Sequence, residues 1–361
     1  MPPTWTRRTQ LREAERRSAQ LGDSRRLGWA LCQLSRELLA GGQGAASREH
    51  AQRARAIGES VGDGPLAALA SYRFSQAYLS AGDYRQARDR LGALVAAADA
   101  DPSWIPVKQR GLFTIQARAW LAWALGEVGN FDGGLARGHD AIRLAHDRFD
   151  DDPYSLGWAC TGLAEVHRVK GELRPAVELL ESVQALAARY DMQDLKISVT
   201  RTLGYAYALS GRLPEGLGLL RQAVSMLDSV GSRRQHATAF LEQLGRACLL
   251  DGRSDEAHDL AERALAQARE RGERGYEAYA LWLLGDVAAR REQIEVETAD
   301  RHYRRAIALA AELGMQPLLA RAHRGLGALC RRAGRKEPAR SHLATAVTIA
   351  GAIGLRNLPG E

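Results

Sequence analysis

The chain carries nine histidines, four cysteines and 43 acidic residues that could act as bases, nucleophiles or metal ligands. Their spacing does not assemble any familiar chemistry. No HExxH places two zinc-binding histidines on one helix face, and no GxSxG presents a serine at a strand-to-helix turn. No GxxxxGK[ST] is present to cradle a phosphate. Cys32, Cys160, Cys248 and Cys330 are separated by 128, 88 and 82 residues, and none forms a CxxC. That spacing suits neither a zinc site nor a disulfide framework, so the cysteines read as small buried apolar residues. The histidines are scattered. His167 stands where other segments carry Tyr78, Tyr207 or Cys248, and reads as a packed core residue. The expectation is a protein that is not an enzyme and uses no cofactor or metal.

Net charge is +7, and only four of the 50 basic residues are lysines. Arginine pairs bidentately with carboxylate and phosphate, so the balance gives a weak preference for acidic partners. Charged residues interrupt every apolar run long enough to span a bilayer. The segment MPPTWTRRTQLREAERR lacks the apolar stretch of a secretory signal. A soluble, cytoplasmic protein is expected.

Internal periodicity sets the fold expectation. A small residue followed seven positions later by glycine recurs at Ser35–Gly42, Ser75–Gly82, Ala122–Gly129, Ala164–Gly171, Gly204–Gly211, Gly245–Gly252 and Gly327–Gly334. Gly285 extends the series, with an insertion in place of its turn. The small positions are spaced by 40, 47, 42, 40, 41, 40 and 42 residues. A second small position follows twelve residues after the first (Ala87, Gly134, Ala176, Gly216, Ala257, Ala339). A third follows at nineteen (Ala54, Ala141, Ala223, Ala264, Ala346). Two antiparallel helices approach closely only where side chains are short, and glycine at the turn ends the first helix.

This is the tetratricopeptide pattern with helices about one turn longer than usual. The expected fold is all-α: a right-handed superhelical solenoid of about eight helix pairs at 24–61, 64–100, 108–150, 152–190, 192–230, 232–272, 273–314 and 316–354. Residues 1–23 are expected to form a leading helix or flexible arm, and 355–361 a disordered tail. Three segments break the rhythm as loops: DPSWIPVKQR with Pro102 and Pro106, FDDDPYS with Asp150 to Asp152, and RREQIEVETAD.

Four long stretches, among them ARAWLAWALGEVGNFDGGLARGHDAIRLA and HYRRAIALAAELGMQPLLARAHRGLGALCRRAGRKEPARSHLATAV, resemble the C-terminal tetratricopeptide region of large bacterial signalling proteins. In those proteins a nucleotide-cyclase domain and a signal-transducing ATPase domain come first. Related helical regions close some ATP-dependent transcriptional regulators. The resemblance implies a sensor or interaction module that controls an attached output, though neither catalytic domain is recognisable in this chain.

Stacked pairs curve, and helical geometry directs certain offsets from the first small position toward the concave face. The resulting candidate groove is Trp29, Arg36, Tyr72, Gln76, Trp123, Trp158, Arg168, Arg201, Tyr205, Glu242, Arg246, Tyr279, Trp282, Arg321 and Arg324. Aromatic faces beside arginines suit a protein or peptide partner bearing acidic groups. The competing reading places these aromatics in the packing between pairs and the charges on a solvated face. A basic end formed by Arg321, Arg324, Arg331, Arg332, Arg335, Lys336 and Arg340 offers a second docking place for an acidic segment. The leading expectation is a protein- or peptide-binding scaffold of a bacterial signalling or transcriptional system. Sensing of a small-molecule effector is the alternative. Nucleic-acid binding ranks behind both, because the basic end lacks interleaved aromatics.

Overall fold

A computed structural model describes residues 7–102, 105, 111–148, 152–229, 236–291 and 293–356. The expected loop residues Pro106, Asp150 and Asp151, and the tail from 357, lie outside these. Every described element is helical. A leading helix α1 (Arg7–Gln20) precedes eight antiparallel pairs. The pairs are α2 (Ser24–Ala40) with α3 (Gly44–Ser60), α4 (Gly64–Ala81) with α5 (Tyr84–Ala100), and α6 (Ala117–Glu127) with α7 (Phe131–Arg148). They continue as α8 (Pro153–Lys170) with α9 (Leu173–Arg189), α10 (Gln193–Leu209) with α11 (Leu213–Ser229), and α12 (Ala237–Leu250) with α13 (Ser254–Arg271). The last two are α14 (Arg274–Arg290) with α15 (Val296–Leu313), and α16 (Gln316–Arg332) with α17 (Lys336–Ile353). A π-helical turn, Leu112–Gln116, leads into α6. The all-α tetratricopeptide-like solenoid expected from the period is the observed fold.

Local chemistry sets the helix ends. The carboxylates of Asp23, Asp63, Asp83 and Asp152 accept from the amides of Arg26, Leu66, Gln86 and Ser155, satisfying donors that a helix start leaves unpaired. Pro153 follows Asp152 in the first turn of α8, where a missing N–H costs nothing. The turn glycines all adopt positive φ, from 73° at Gly334 to 91° at Gly211. Helices also end on Gly272, Gly314 and Gly354 between or after pairs, a second register of left-handed caps outside the repeat signature.

The small positions do what their size allows. Ala122, Ala164, Ala176, Ala257, Ala223 and Ala264 are fully buried between helices. A Cβ at Gly216 would sit 2.6 Å from the Gly204 carbonyl and 2.7 Å from the Ala208 amide. In the first pair the two small residues are serines, and Ser47 Oγ donates to the Ser35 carbonyl at 2.9 Å. In the seventh pair the Tyr303 ring fills the space over Gly285 and Gly325, where added Cβ atoms would approach within 2.8 Å and 2.6 Å. All four cysteines are buried and free. Among the described residues no helix is long and apolar enough to cross a membrane.

The superhelix closes on itself. Gly82, at the turn of the second pair, meets Gly275 at the start of the seventh, with room for no Cβ on either. Arg85 donates to the Glu312 carbonyl at 3.3 Å. Further along, the Arg356 amide donates to the Lys170 carbonyl at 2.8 Å, and Ile353 packs beside Gly129.

If close helix approach holds each pair together, Gly216→Ala lowers stability by about 1–3 kcal/mol through steric overlap. Gly218→Ala, two residues away with nothing within 4 Å of its Cβ direction, raises stability by about 0.5–1 kcal/mol through helix propensity. Urea unfolding of the two variants checks both signs.

Candidate functional site

The first helix of each pair lines the inside of the superhelix, and closure turns those faces toward one another. The result is a lumen filled by its own side chains. Glu127 ends α6 and is buried. It accepts from Trp123 Nε1 at 3.1 Å and, across 152 residues of chain, from the Tyr279 hydroxyl at 2.6 Å. Arg168 Nη2 lies 3.6 Å from Glu127, and its Nε donates to Glu165 at 2.6 Å. Arg201 approaches the other Glu165 oxygen at 3.6 Å and donates to Gln243 at 2.6 Å. Arg246 lies 3.5 Å over the Trp282 ring, donates to Asp286, and comes within 3.9 Å of Glu242. Tyr303 donates to the second Asp286 oxygen. Arg321 reaches from α16 to the Val169 carbonyl at 2.6 Å, a second link spanning 152 residues.

Burial shapes the electrostatics. Loss of water raises the Glu127 and Glu242 carboxyls above their ordinary range, against the pull of Arg168 and Arg246 respectively. Burial opposes charge on Arg168 too, but Glu165 and Glu127 outweigh it and hold the guanidinium protonated. Arg321 feels Glu127 only from beyond ion-pair distance, and burial pushes it down.

The expected groove residues therefore divide. Tyr72, Trp123, Arg168, Arg201, Tyr205, Glu242, Arg246, Tyr279, Trp282 and Arg321 face the lumen side but are buried, at 9% exposure or less. An open concave surface would leave them wet. Closure of the spiral, which a local repeat pattern does not encode, covers them. Gln76, Trp158 and Arg324 are half-buried. Tyr72, Gln76 and Trp158 belong to a smaller cluster nearer the N-terminus, where the Tyr72 hydroxyl accepts from Trp120 at 2.8 Å and from Gln76 at 3.1 Å. Trp29 and Arg36 stand apart. Trp29 donates to Asp63 at 3.1 Å and lines a cleft of about 540 Å³ with Leu11, Ala14 and Arg25. Arg36 pairs with its neighbour Glu37 at 2.9 Å. The basic end is likewise divided, since Arg332 donates to the Ala289 carbonyl and Arg335 pairs with Glu297.

Several residues of the network escaped the sequence reading. Glu127 lies one helical turn beyond Trp123, on the same stripe, so its spacing was the available signal. Gln243 neighbours Glu242 but points to Arg201. Tyr303 comes from the second helix of its pair, which the inward-offset rule did not sample. Among the described residues, no three His, Cys, Asp or Glu side chains converge to hold a metal ion.

No family model matches the chain, and no curated protein matches it. Solved structures do. The Rap conjugation gene regulator of plasmid pLS20 in complex with the Phr* peptide superposes with TM-score 0.62 at 14% identity, over 92% of this chain and 97% of that one. A Rap protein complexed with competence and sporulation factor gives 0.61 at 10% identity, over 91% and 98%. The apo form of RapI gives 0.54 at 10%, over 79% and 97%. At these identities the likeness is one of fold: a helical repeat solenoid.

Removing one member of the buried network strands another charge, so Arg168→Leu is expected to cost about 3–5 kcal/mol in urea unfolding. Arg174→Leu, which breaks an exposed pair with Glu178, changes stability by about 0.5 kcal/mol or less. A second test uses pH. Burial raises Glu273, which accepts from Thr238, from 4.5 to about 7. The folded state then binds more protons than the unfolded chain between those values, so this group's contribution to stability is lost as pH rises through 7. Burial and Arg201 lower His236 from 6.5 to about 3, so its contribution is lost as pH falls below 6.5. Glu273→Gln should therefore be more stable than the wild type at pH 8 by roughly 1–3 kcal/mol, and no more stable at pH 4. Thermal melts across pH check the crossing.

Proposed function

We propose that this chain is a non-catalytic regulatory scaffold that binds a short peptide segment inside its superhelix, as the sensing module of a bacterial signalling or transcriptional system. The observation that carries the reading is the lumen itself. Aromatic faces (Trp123, Trp282, Tyr205, Tyr279) stand beside guanidiniums, and several donors there have no hydrogen-bond partner, including Arg201 Nε and Arg246 Nη2. A buried donor without a partner costs free energy in the unliganded state, which a ligand acceptor would recover. The fold-level likeness to a regulator solved with a peptide is consistent with this use. The resemblance to cyclase and ATPase regulators supplies the wider setting, in which ligand entry alters an output domain or partner.

Entry requires the spiral to open, because the lining residues are covered when it is closed. Peptide binding is thus coupled to separation of the second pair from the seventh, and of the fourth from the eighth. The enclosure also favours compact ligands, which keeps a small-molecule effector as the second reading. A protein partner gripping the lumen as a large folded surface is disfavoured for the same reason.

The test is titration of the purified chain with short peptides and, separately, with a metabolite panel, followed by tryptophan fluorescence and thermal shift. Peptide binding that changes the emission of Trp123 and Trp282, weakened about tenfold or more by Trp282→Ala, supports the reading. Saturable binding of a metabolite with no peptide response would replace it with the second.

A further inference from the structure

We propose that Arg321 is the anchor for a ligand carboxylate within the lumen; this deepens the peptide-binding reading and rests on it. Arg321 lacks the close carboxylate that the other lumen arginines have. Of the lumen arginines, Arg168 has Glu165 at 2.6 Å, Arg201 has Glu165 at 3.6 Å, and Arg246 has Asp286 in direct contact. Arg321 is 9% exposed, and among the described residues it has no carboxylate within ion-pair distance. Its hydrogen bond there goes to the Val169 carbonyl. A guanidinium has five N–H donors, and one carbonyl engages few of them. Burying a cation without a counter-ion is among the least favourable arrangements a protein interior can hold.

The surroundings fit a carboxylate. Arg168 sits 5.4 Å over the Tyr205 ring, and the same phenol feels the charges of Glu242, Arg246 and Arg321. Arg246 Nη2 has no partner. Three of the nearby acids are committed elsewhere: Glu165 serves Arg168 and Arg201, Asp286 serves Arg246 and Tyr303, and Glu127 serves Trp123, Tyr279 and Arg168. The fourth, Glu242, lies 3.9 Å from Arg246 and makes no ion pair with Arg321. An incoming carboxylate meets a planar fork in a dry site, the geometry in which bidentate pairing is strongest. The carboxylate could be a peptide's C-terminus or an acidic side chain, and the experiment separates them.

Three N-acetylated hexapeptide pools serve as probes: neutral side chains with free C-termini, the same pool amidated, and an amidated pool containing Asp or Glu. Each is titrated against the wild type and Arg321→Gln. The wild type is expected to bind at least one carboxylate-bearing pool about tenfold or more tightly than the neutral amidated pool, and Arg321→Gln to erase that preference. Unliganded Arg321→Gln is expected to melt no lower than the wild type, because the substitution removes a buried charge without an ion-pair partner while its amide can still donate to the Val169 carbonyl. If Arg321→Gln does not fold, Arg321→Lys, which keeps the charge but loses the fork, is expected to weaken the preferred pool while leaving the amidated pool unchanged. Equal binding of the neutral amidated pool overturns the anchor while leaving peptide binding standing. A carboxylate preference that survives both substitutions also overturns it. Failure of every pool to bind overturns the anchor and the peptide reading together.

Discussion

The closest approach between helix axes governs this molecule. Alanine, serine or glycine at recurring positions lets the two helices of each pair nest, and the next pair stack on them, at separations that larger side chains would forbid. Each nesting adds a small rotation. From the second pair to the seventh the rotations accumulate until the turn at Gly82 meets the start of α14 at Gly275, backbone against backbone. At that contact, too, short side chains permit the approach.

Closure changes what the inward residues are. In an open spiral, arginines and glutamates on the concave side would be hydrated, with pairings worth little. Covered, they lose water and depend on one another. Glu127 and Tyr279, and Val169 and Arg321, tie the third and fourth pairs to the seventh and eighth. A repeat protein usually communicates only between neighbours. Here distant repeats share buried polar partners, so a change in the lumen has a direct physical route to the shape of the whole array. Under the proposed ligand-binding role, the bonds of the network specify the closed state, while its unspent donors leave a place for a ligand to compete.

Much of the fold was legible in the sequence because the repeat is a local signal. Small residue, turn glycine and second small residue lie within a dozen positions, and their steric meaning needs no knowledge of the rest of the chain. The inward face of the first helices followed from helical geometry, which is why Arg168, Arg201, Arg246 and Trp282 were found together. Their burial was not legible, since it depends on how successive pairs pack and on ties such as Tyr279–Glu127 and Arg321–Val169, 152 positions apart, that no period announces. Glu127 and Tyr303 were missed for related reasons, one standing just past the sampled offsets and the other reaching in from the outer helix. The basic cluster at the C-terminal end looked continuous in sequence, yet its members turn to different neighbours, Arg332 to Ala289 and Arg335 to Glu297.

Buried polar contacts across the lumen hold successive turns of the spiral together. A double-mutant cycle on Tyr279→Phe and Glu127→Gln, read by urea unfolding, measures this most directly. The two changes are expected to be strongly non-additive, with a coupling of about 1–2 kcal/mol despite their separation in sequence. Additive effects within about 0.3 kcal/mol would mean that the third and seventh pairs do not sense one another, and the closed lumen would have to be abandoned.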